Sequence, residues 1–242
     1  MAGVTTPIVA LDVPTLAAAL ALADELDGLC GFYKVGLELF TAEGPRVVRT
    51  LLDRGADVFL DLKLHDIPNT VRGAVERAAA HGVRLVTVHA SGGRAMLEAA
   101  QRGAGDSGAH CELLAVTVLT SLDAPALAAA WGRADGPAPL DVLAEVLRLA
   151  GDAAGAGLHG VVCGGPEAAA VRARFGGSLA TLVPGVRLAG AGAQDQARVV
   201  TPAEAARAGA SYVVLGRTVT AAADRRGALE RVLAELRSVG AS

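Results

Sequence analysis

The chain has 242 residues, of which 52% are hydrophobic and 3% aromatic, and its formal net charge at pH 7 is -3. A chain of this size can bury one large core, whereas its acidic charge and few aromatic rings argue against binding to nucleic-acid polymers. No apolar run reaches the roughly 18 residues of a membrane span. No basic residue precedes Lys34, so the sequence lacks the positively charged region that begins a signal peptide. We therefore expect a cytoplasmic protein that binds no membrane.

Short β-like runs alternate with Ala- and Leu-rich helical stretches along the whole chain. Strands are predicted at residues 7–12, 32–36, 57–63, 84–89, 112–119, 159–163, 180–184 and 211–216. Helices are predicted near residues 15–27, 44–54, 69–81, 93–103, 140–155, 166–174, 202–209 and 220–238. Eight strand and helix units in one chain are typical of a closed parallel barrel. We therefore predict an α/β fold, a (β/α)8 TIM barrel, as a single catalytic domain over residues 1–242.

Polar side chains recur where the predicted strands end. The active sites of such barrels form at the C-terminal ends of the strands and in the loops that follow them. Along the first five strands, these positions are occupied by Asp12, Lys34, Asp61 with Lys63, His89, and Thr120 with Ser121. The sequence therefore predicts a functional site at this rim of the barrel.

The third predicted strand carries an unusual concentration of charge in the run from Asp61 to Asp66. Because successive side chains of a strand point to opposite faces, Asp61 and Lys63 are expected to share the inward face with Phe59. Burial of a lone charge is costly, so a lysine between two aspartates indicates a cluster of compensating charges. Taken alone, an Asp-x-Lys pair is more often a structural ion pair at a strand end, and the other features of the chain favour a functional cluster here.

Two further segments indicate phosphate binding. Pro184-Gly185-Val186-Arg187 follows the seventh predicted strand, and Gly216-Arg217 follows the eighth. Loops at these places hold phosphate in many barrels, because glycine lets backbone N–H groups approach and a guanidinium group binds two oxygens at once. The segment 188–196, rich in Gly and Ala, is expected to form a mobile loop beside this site.

In combination, these segments closely resemble orotidine 5'-phosphate decarboxylase over essentially the whole chain. The resemblance rests on Asp-x-Lys-x-x-Asp-Ile-Pro-Asn-Thr at 61–70, Thr-Val-His-Ala-Ser-Gly-Gly at 87–93, and the two phosphate segments at 184–187 and 216–217. It implies a TIM barrel that removes CO2 from orotidine 5'-monophosphate to give uridine 5'-monophosphate, the last step of de novo synthesis of that nucleotide, without metal or organic cofactor. Flanking residues depart from the family pattern: Val183 and Val186 replace a usual Thr and Ile, and Thr218 replaces a common Pro.

The resemblance also assigns roles to individual residues. It implies that Lys63 protonates C6 of the pyrimidine, that Asp61 lies beside the leaving carboxylate, and that Lys34 is the second lysine of the charge network. The other implied substrate contacts are Asp12 at the ribose, Thr120 or Ser121 at the pyrimidine edge, Asp66, Ile67 and Thr70 in the neighbouring subunit's site, and Pro184, Arg187, Gln196, Gly216 and Arg217 at and near the phosphate. The resemblance further implies a homodimer with shared active sites. It also implies a mobile lid that carries Gln196 or, in its place, Gln194.

Two alternatives remain open at the level of sequence. One is a magnesium-dependent relative, a 3-keto-gulonate 6-phosphate decarboxylase or a hexulose-phosphate synthase, which would carry a glutamate at the position of Lys34. The other is a catalytically silent barrel that binds nucleotides, although retention of the whole charged set argues against it. His89 fits a packed histidine at a strand end as well as a direct role in the site.

Overall fold

Eight parallel strands form the centre of the molecule in the computed structural model, which describes residues 5–133, 139–188 and 199–240. The strands are β1 (Thr6–Ala10), β2 (Phe32–Gly36), β3 (Asp57–Leu64), β4 (Leu85–His89), β5 (Glu112–Val116), β6 (Gly160–Val162), β7 (Ala180–Val183) and β8 (Tyr212–Leu215). Each strand pairs with the next, and β8 pairs with β1 to close the sheet. The predicted (β/α)8 TIM barrel is therefore confirmed.

Helices surround the barrel between successive strands. They are α1 (Leu16–Glu25), α2 (Leu37–Glu43), α3 (Pro45–Asp53), α4 (Pro68–Ala80), α5 (Arg94–Asp106), α6 (Ala124–Ala130), α7 (Val142–Gly155), α8 (Gly165–Phe175), α9 (Pro202–Arg207), α10 (Arg217–Thr220) and α11 (Arg225–Gly240). All eight predicted helices are present, whereas α2, α6 and α10 were not predicted. In α6, the Asp123 side chain accepts a hydrogen bond from the N–H of Ala126 and so begins a helix in an Ala-rich tract. None of the helices in the described ranges combines the length and the apolar character that a bilayer crossing requires.

The hydrophobic core has two layers, as the alternation of side chains along the strands requires. Inside the barrel, Ile8, Phe59, Leu85 and their neighbours form a small packed cluster. Val58, Leu60 and most other buried apolar residues lie between the sheet and the helices. The inner cluster closes the barrel below the C-terminal ends of the strands.

One irregularity in the sheet shapes the rim of the barrel. Leu60 pairs with Val86 and Leu64 pairs with Val88, so three residues of β3 (residues 61–63) lie opposite the single residue Thr87 of β4. Lys63 adopts φ of 50°, and it is the only residue other than glycine with a positive φ in the described part of the chain. Bulges of this kind redirect side chains and occur next to active sites. The bulge interrupts the regular pairing of residues 61 to 63, yet Phe59, Asp61 and Lys63 line one cavity and Asp61 contacts Lys63, as the sequence predicted.

Candidate active site

A cavity of about 410 Å³ opens at the C-terminal ends of the strands. Its inner wall is apolar and includes Phe59, Val162 and Leu182. The predicted site residues that line it are Asp12, Lys34, Asp61, Lys63, Thr120, Pro184, Arg187, Gly216 and Arg217. The volume lies within the roughly 300 to 1,000 Å³ that is usual for small-molecule sites. The fold thus brings most of the predicted residues to one cavity.

Charges of alternating sign form one side of this cavity. The Lys34 ammonium group (Nζ) lies 2.7 Å from Oδ1 of Asp12 and 3.7 Å from Oδ2 of Asp61. The same oxygen of Asp61 accepts a hydrogen bond of 2.7 Å from Nζ of Lys63. These four side chains lie in or just after three adjacent strands, β1 to β3, which is why they meet although they are far apart in sequence.

Burial makes this network specific in its geometry. The side chains of Lys34 and Asp61 are 10% and 12% exposed, whereas Asp12 is 57% exposed. Buried charges are stable only when opposite charges and hydrogen bonds replace water. Asp61 has both, since the Thr87 hydroxyl donates to its Oδ1 at 2.9 Å. The central carboxylate therefore has a fixed orientation between two ammonium groups.

Gly36 makes room for the first half of the network. A methyl group added at its Cα would lie 2.7 Å from Nζ of Lys34 and 3.0 Å from Oδ1 of Asp12. Only glycine therefore fits at this last position of β2 as long as the contact between Lys34 and Asp12 is kept.

Arginines gather at another part of the cavity wall, beyond the C-terminal ends of β7 and β8. Arg187 is 7% exposed, and its Nη1 donates a hydrogen bond of 3.2 Å to the hydroxyl of Thr218. That hydroxyl in turn donates to the carbonyl of Val186 at 2.7 Å. Burial lowers the pKa of Arg187, and the positive charge of Arg217 lowers it further. Two guanidinium groups close enough to repel each other are well placed to share an anion.

The remaining predicted site residues lie outside the cavity wall. Thr120 lines the cavity, whereas the adjacent Ser121 is exposed in a turn and is absent from the lining. Asp66, Ile67 and Thr70 are exposed around the start of α4, with Ile67 at 67% exposure. Gln196, its alternative Gln194 and nearly all of the expected lid fall outside the described residues.

Two histidines pack beside the bulge. The rings of His65 and His89 lie 5.3 Å apart between centroids and are tilted by 37°. Burial lowers the pKa of His89, and the charges of His65 and Lys63 lower it further. Neither histidine lines the cavity, so the packed interpretation of His89 fits its position better than a direct contact with a ligand.

Sequence reasoning missed two hydroxyl groups that hold the site together. Thr87 is fully buried and contacts Asp61, and Thr218 contacts Arg187. For Thr87 a signal existed, because it is a polar residue in the otherwise apolar run Leu85 to Val88 and shares the inward face with Leu85. For Thr218, the only indication in the sequence was that it replaces the proline that is common in the family.

Comparison with known proteins agrees with this geometry. The model of the family described as "Orotidine 5'-phosphate decarboxylase / HUMPS family" matches residues 5–232. The chain belongs to this family. An orotidine 5'-phosphate decarboxylase of Anaeromyxobacter sp. (strain K) is 55% identical over 227 residues, which cover 94% of this chain and 96% of the relative. The corresponding protein of Halorhodospira halophila is 50% identical over 233 residues, with 96% of each chain covered.

A solved structure supports the same assignment. The crystal structure of orotidine 5'-phosphate decarboxylase from Lactobacillus acidophilus superposes with a TM-score of 0.82 at 34% identity, covering 96% of this chain and 99% of that one. Membership in the orotidine 5'-phosphate decarboxylase family and the enzyme class expected from the sequence are thereby confirmed. The roles of individual residues stay predictions.

Proposed function

We propose that this chain converts orotidine 5'-monophosphate to uridine 5'-monophosphate and CO2, as the last step of de novo synthesis of that nucleotide in the cytoplasm. Two relatives named orotidine 5'-phosphate decarboxylase are 55% and 50% identical to this chain over nearly its full length. This similarity supports the same reaction here. The observation that carries the proposal is the placement of the Asp61 carboxylate between the ammonium groups of Lys34 and Lys63 at one side of a single cavity. We assign the activity to one domain over residues 1–242.

The chemistry follows from that arrangement. A substrate carboxylate held beside Asp61 is repelled by it, which raises the free energy of the bound ground state. As the bond between C6 and the carboxylate breaks, its electron pair stays on C6 and CO2 leaves. The Lys63 ammonium group stabilises this developing negative charge and then transfers a proton to C6, forming the new C–H bond. The resulting neutral amine regains its proton from solvent.

Substrate binding is assigned to the rest of the cavity. Asp12, which is exposed at the rim beside Lys34, would accept hydrogen bonds from the ribose hydroxyls. Thr120, rather than Ser121, would contact the pyrimidine edge because it lies in the cavity wall. The substrate-binding residues proposed at and near the phosphate are Pro184, Arg187, Gln196, Gly216 and Arg217.

Lys34 separates this function from the magnesium-dependent reactions of the same family. Its ammonium group lies between the carboxylates of Asp12 and Asp61, which is the place where a divalent ion bound by both aspartates would lie. A fixed positive charge there repels a second cation and compensates the same two carboxylates. This contact supports a reaction that needs no metal, and the resemblance implies that it needs no organic cofactor either.

One assay separates these possibilities. The loss of orotidine 5'-monophosphate absorbance is followed with wild-type enzyme, with and without exhaustive chelation, alongside parallel assays with 3-keto-gulonate 6-phosphate and with the substrates of hexulose-phosphate synthase. We expect turnover of orotidine 5'-monophosphate alone, at a rate that chelation leaves unchanged. Activity that disappears with the chelator and returns with magnesium would instead assign the chain to the metal-dependent reactions, and absence of all turnover would indicate a silent barrel.

We further propose that the enzyme is a homodimer whose subunits share active sites. Asp66, Ile67 and Thr70 are exposed around the start of α4 and do not line their own cavity, and Ile67 exposes an apolar side chain. Residues placed in this way can contact a ligand in a neighbouring subunit, which is the role that the resemblance implies.

Subunit mixing tests the shared site. Asp66→Ala and Lys63→Ala enzymes are each expected to be almost inactive. Mixed dimers contain one site that carries both substitutions and one that carries neither, so activity should return once the subunits exchange. If exchange is confirmed with differently tagged subunits and no activity returns, the sites are not shared.

A further inference from the structure

A fully buried threonine connects the two residues assigned to the chemistry. The Thr87 hydroxyl donates a hydrogen bond of 2.9 Å to Oδ1 of Asp61 and accepts one of 2.8 Å from the backbone N–H of Lys63. Its side chain is 0% exposed, so no solvent competes for either bond. Because a hydroxyl has one proton to donate, donating it to Asp61 leaves only its oxygen for Lys63. The Thr87 hydroxyl oxygen therefore fixes both the side chain of Asp61 and the backbone N–H of Lys63.

The bulge in β3 explains why this hydroxyl is needed. Three residues of β3 lie opposite Thr87, so the regular ladder of backbone hydrogen bonds is interrupted there. A backbone N–H without a partner in a buried place is costly. The Thr87 hydroxyl accepts the N–H of Lys63 in place of the missing ladder bond.

Lys63 needs this support because its own backbone is strained. Its φ of 50° lies in the left-handed region, which costs a residue with a side chain free energy that the surroundings must offset. This conformation lets Lys63 turn back so that its Nζ lies 2.7 Å from Oδ2 of Asp61. Thr87 is itself anchored, since its backbone pairs with Leu114 of β5.

The Thr87 hydroxyl also fixes the orientation of the Asp61 carboxylate. A carboxylate is planar, so fixing Oδ1 by the Thr87 hydroxyl sets the direction of Oδ2. It is Oδ2 that faces both ammonium groups, at 2.7 Å from Lys63 and 3.7 Å from Lys34. Without the hydroxyl, rotation of Asp61 would move this oxygen away from the place where the substrate carboxylate is proposed to bind.

We propose that Thr87 is a positioning residue for decarboxylation, which holds Asp61 and the strained backbone of Lys63 in the reactive arrangement without touching the substrate. This inference rests on the proposed function. Misplacement of a reacting group by about 1 Å costs on the order of 100-fold in rate. Removal of the hydroxyl should therefore lower kcat by roughly 10- to 100-fold, while the distant ribose and phosphate contacts keep the affinity for uridine 5'-monophosphate close to that of wild type.

The test compares Thr87→Val, which keeps the branched shape and loses the hydroxyl, with Thr87→Ser, which keeps the hydroxyl. Thr117→Val is the matched control, because Thr117 is also buried and donates its hydroxyl to the carbonyl of Val162 at 2.8 Å, outside the charge network. We expect both valine variants to lose similar stability. Only Thr87→Val should lose kcat, and Thr87→Ser should recover most of it.

Three results would overturn the proposal: an unchanged kcat in Thr87→Val, an equal loss of kcat in Thr117→Val, or no recovery in Thr87→Ser. A crystal structure of Thr87→Val tests the geometry without any assay, since Lys63 should leave its positive φ or Asp61 should rotate. A site that stays unaltered in that structure would also refute the positioning role. Failure of the wild-type enzyme to consume orotidine 5'-monophosphate would refute the proposed function instead, and the structure of the variant would still decide whether Thr87 positions the pair.

Discussion

The two sides of the cavity are built differently. At the charged side, Asp12, Lys34, Asp61 and Lys63 lie at the ends of adjacent strands and contact one another directly. At the phosphate side, Arg187 lies in the loop after β7 and donates a hydrogen bond to Thr218 of the one-turn helix α10, which begins with Arg217 directly after β8. Groups on strands are held more rigidly than groups on loops. We infer that the strand side performs the chemistry and that the loop side captures and retains the substrate.

Loss of Arg217 should have the largest effect on the loop side. Removal of a charge-assisted contact to phosphate should cost about 2 to 5 kcal/mol. The measurement compares kcat/KM for orotidine 5'-monophosphate and for orotidine, in wild type and in Arg217→Ala. The variant should lose most of its preference for the phosphorylated substrate and keep its weak activity on the nucleoside. An equal loss on both substrates would mean that Arg217 supports the fold or the chemistry.

Gly36→Ala should disturb the strand side without unfolding the protein. The added methyl group would lie 2.7 Å from Nζ of Lys34, the flexible end of a side chain, so the ammonium group should move and the barrel should remain. We expect kcat/KM to fall on the order of 10- to 100-fold for substrate with and without phosphate alike. Gly31→Ala is the matched control, because a methyl group there meets no atom within 4 Å. Similar losses in both variants would contradict the steric argument.

Thr218→Val should produce a smaller effect that is confined to the loop side. The variant removes the hydroxyl that accepts from Arg187 and donates to the carbonyl of Val186. A hydrogen bond of this kind contributes about 0.5 to 1.5 kcal/mol, so KM should rise by roughly 2- to 13-fold. Turnover at saturating substrate should stay close to wild type, and Thr218→Ser should restore KM. A fall in kcat with unchanged KM would remove the distinction between the two sides.

The smallest expected effect is on stability at mildly acidic pH. Burial and the charges of His65 and Lys63 lower the pKa of His89 from its usual value of 6.5, so the folded state favours the neutral ring. Its stabilising contribution is therefore present above pH 6.5 and is lost as the pH falls through the lowered pKa. Urea denaturation between pH 7 and pH 5 should show a weaker pH dependence for His89→Gln than for wild type. His110→Gln, at a side chain that is 85% exposed, provides the control.

The sequence predicted the rim of the barrel better than its internal supports. Asp12, Lys34 and Asp61 could be placed in one site because parallel strands bring their C-terminal ends together. The bulge at residues 61–63 could not be foreseen, since it depends on pairing between β3 and β4 that no local pattern records. For the same reason no role could be assigned to Thr87, although it begins the segment 87–93 that carries the resemblance, because its contacts with Asp61 and Lys63 depend on that pairing. Helix α2 begins directly after β2 and was missed, since seven residues carry too short a periodic pattern.

The proton transfer to C6 can be measured by itself. By microscopic reversibility, an enzyme that protonates C6 also removes the C6 proton of uridine 5'-monophosphate, so this proton should exchange for deuterium in heavy water. At saturating nucleotide, we expect exchange with wild type and with Arg217→Ala, and a loss on the order of 100-fold or more with Lys63→Ala. Exchange by Lys63→Ala at the wild-type rate would contradict the assignment of Lys63 as the proton donor.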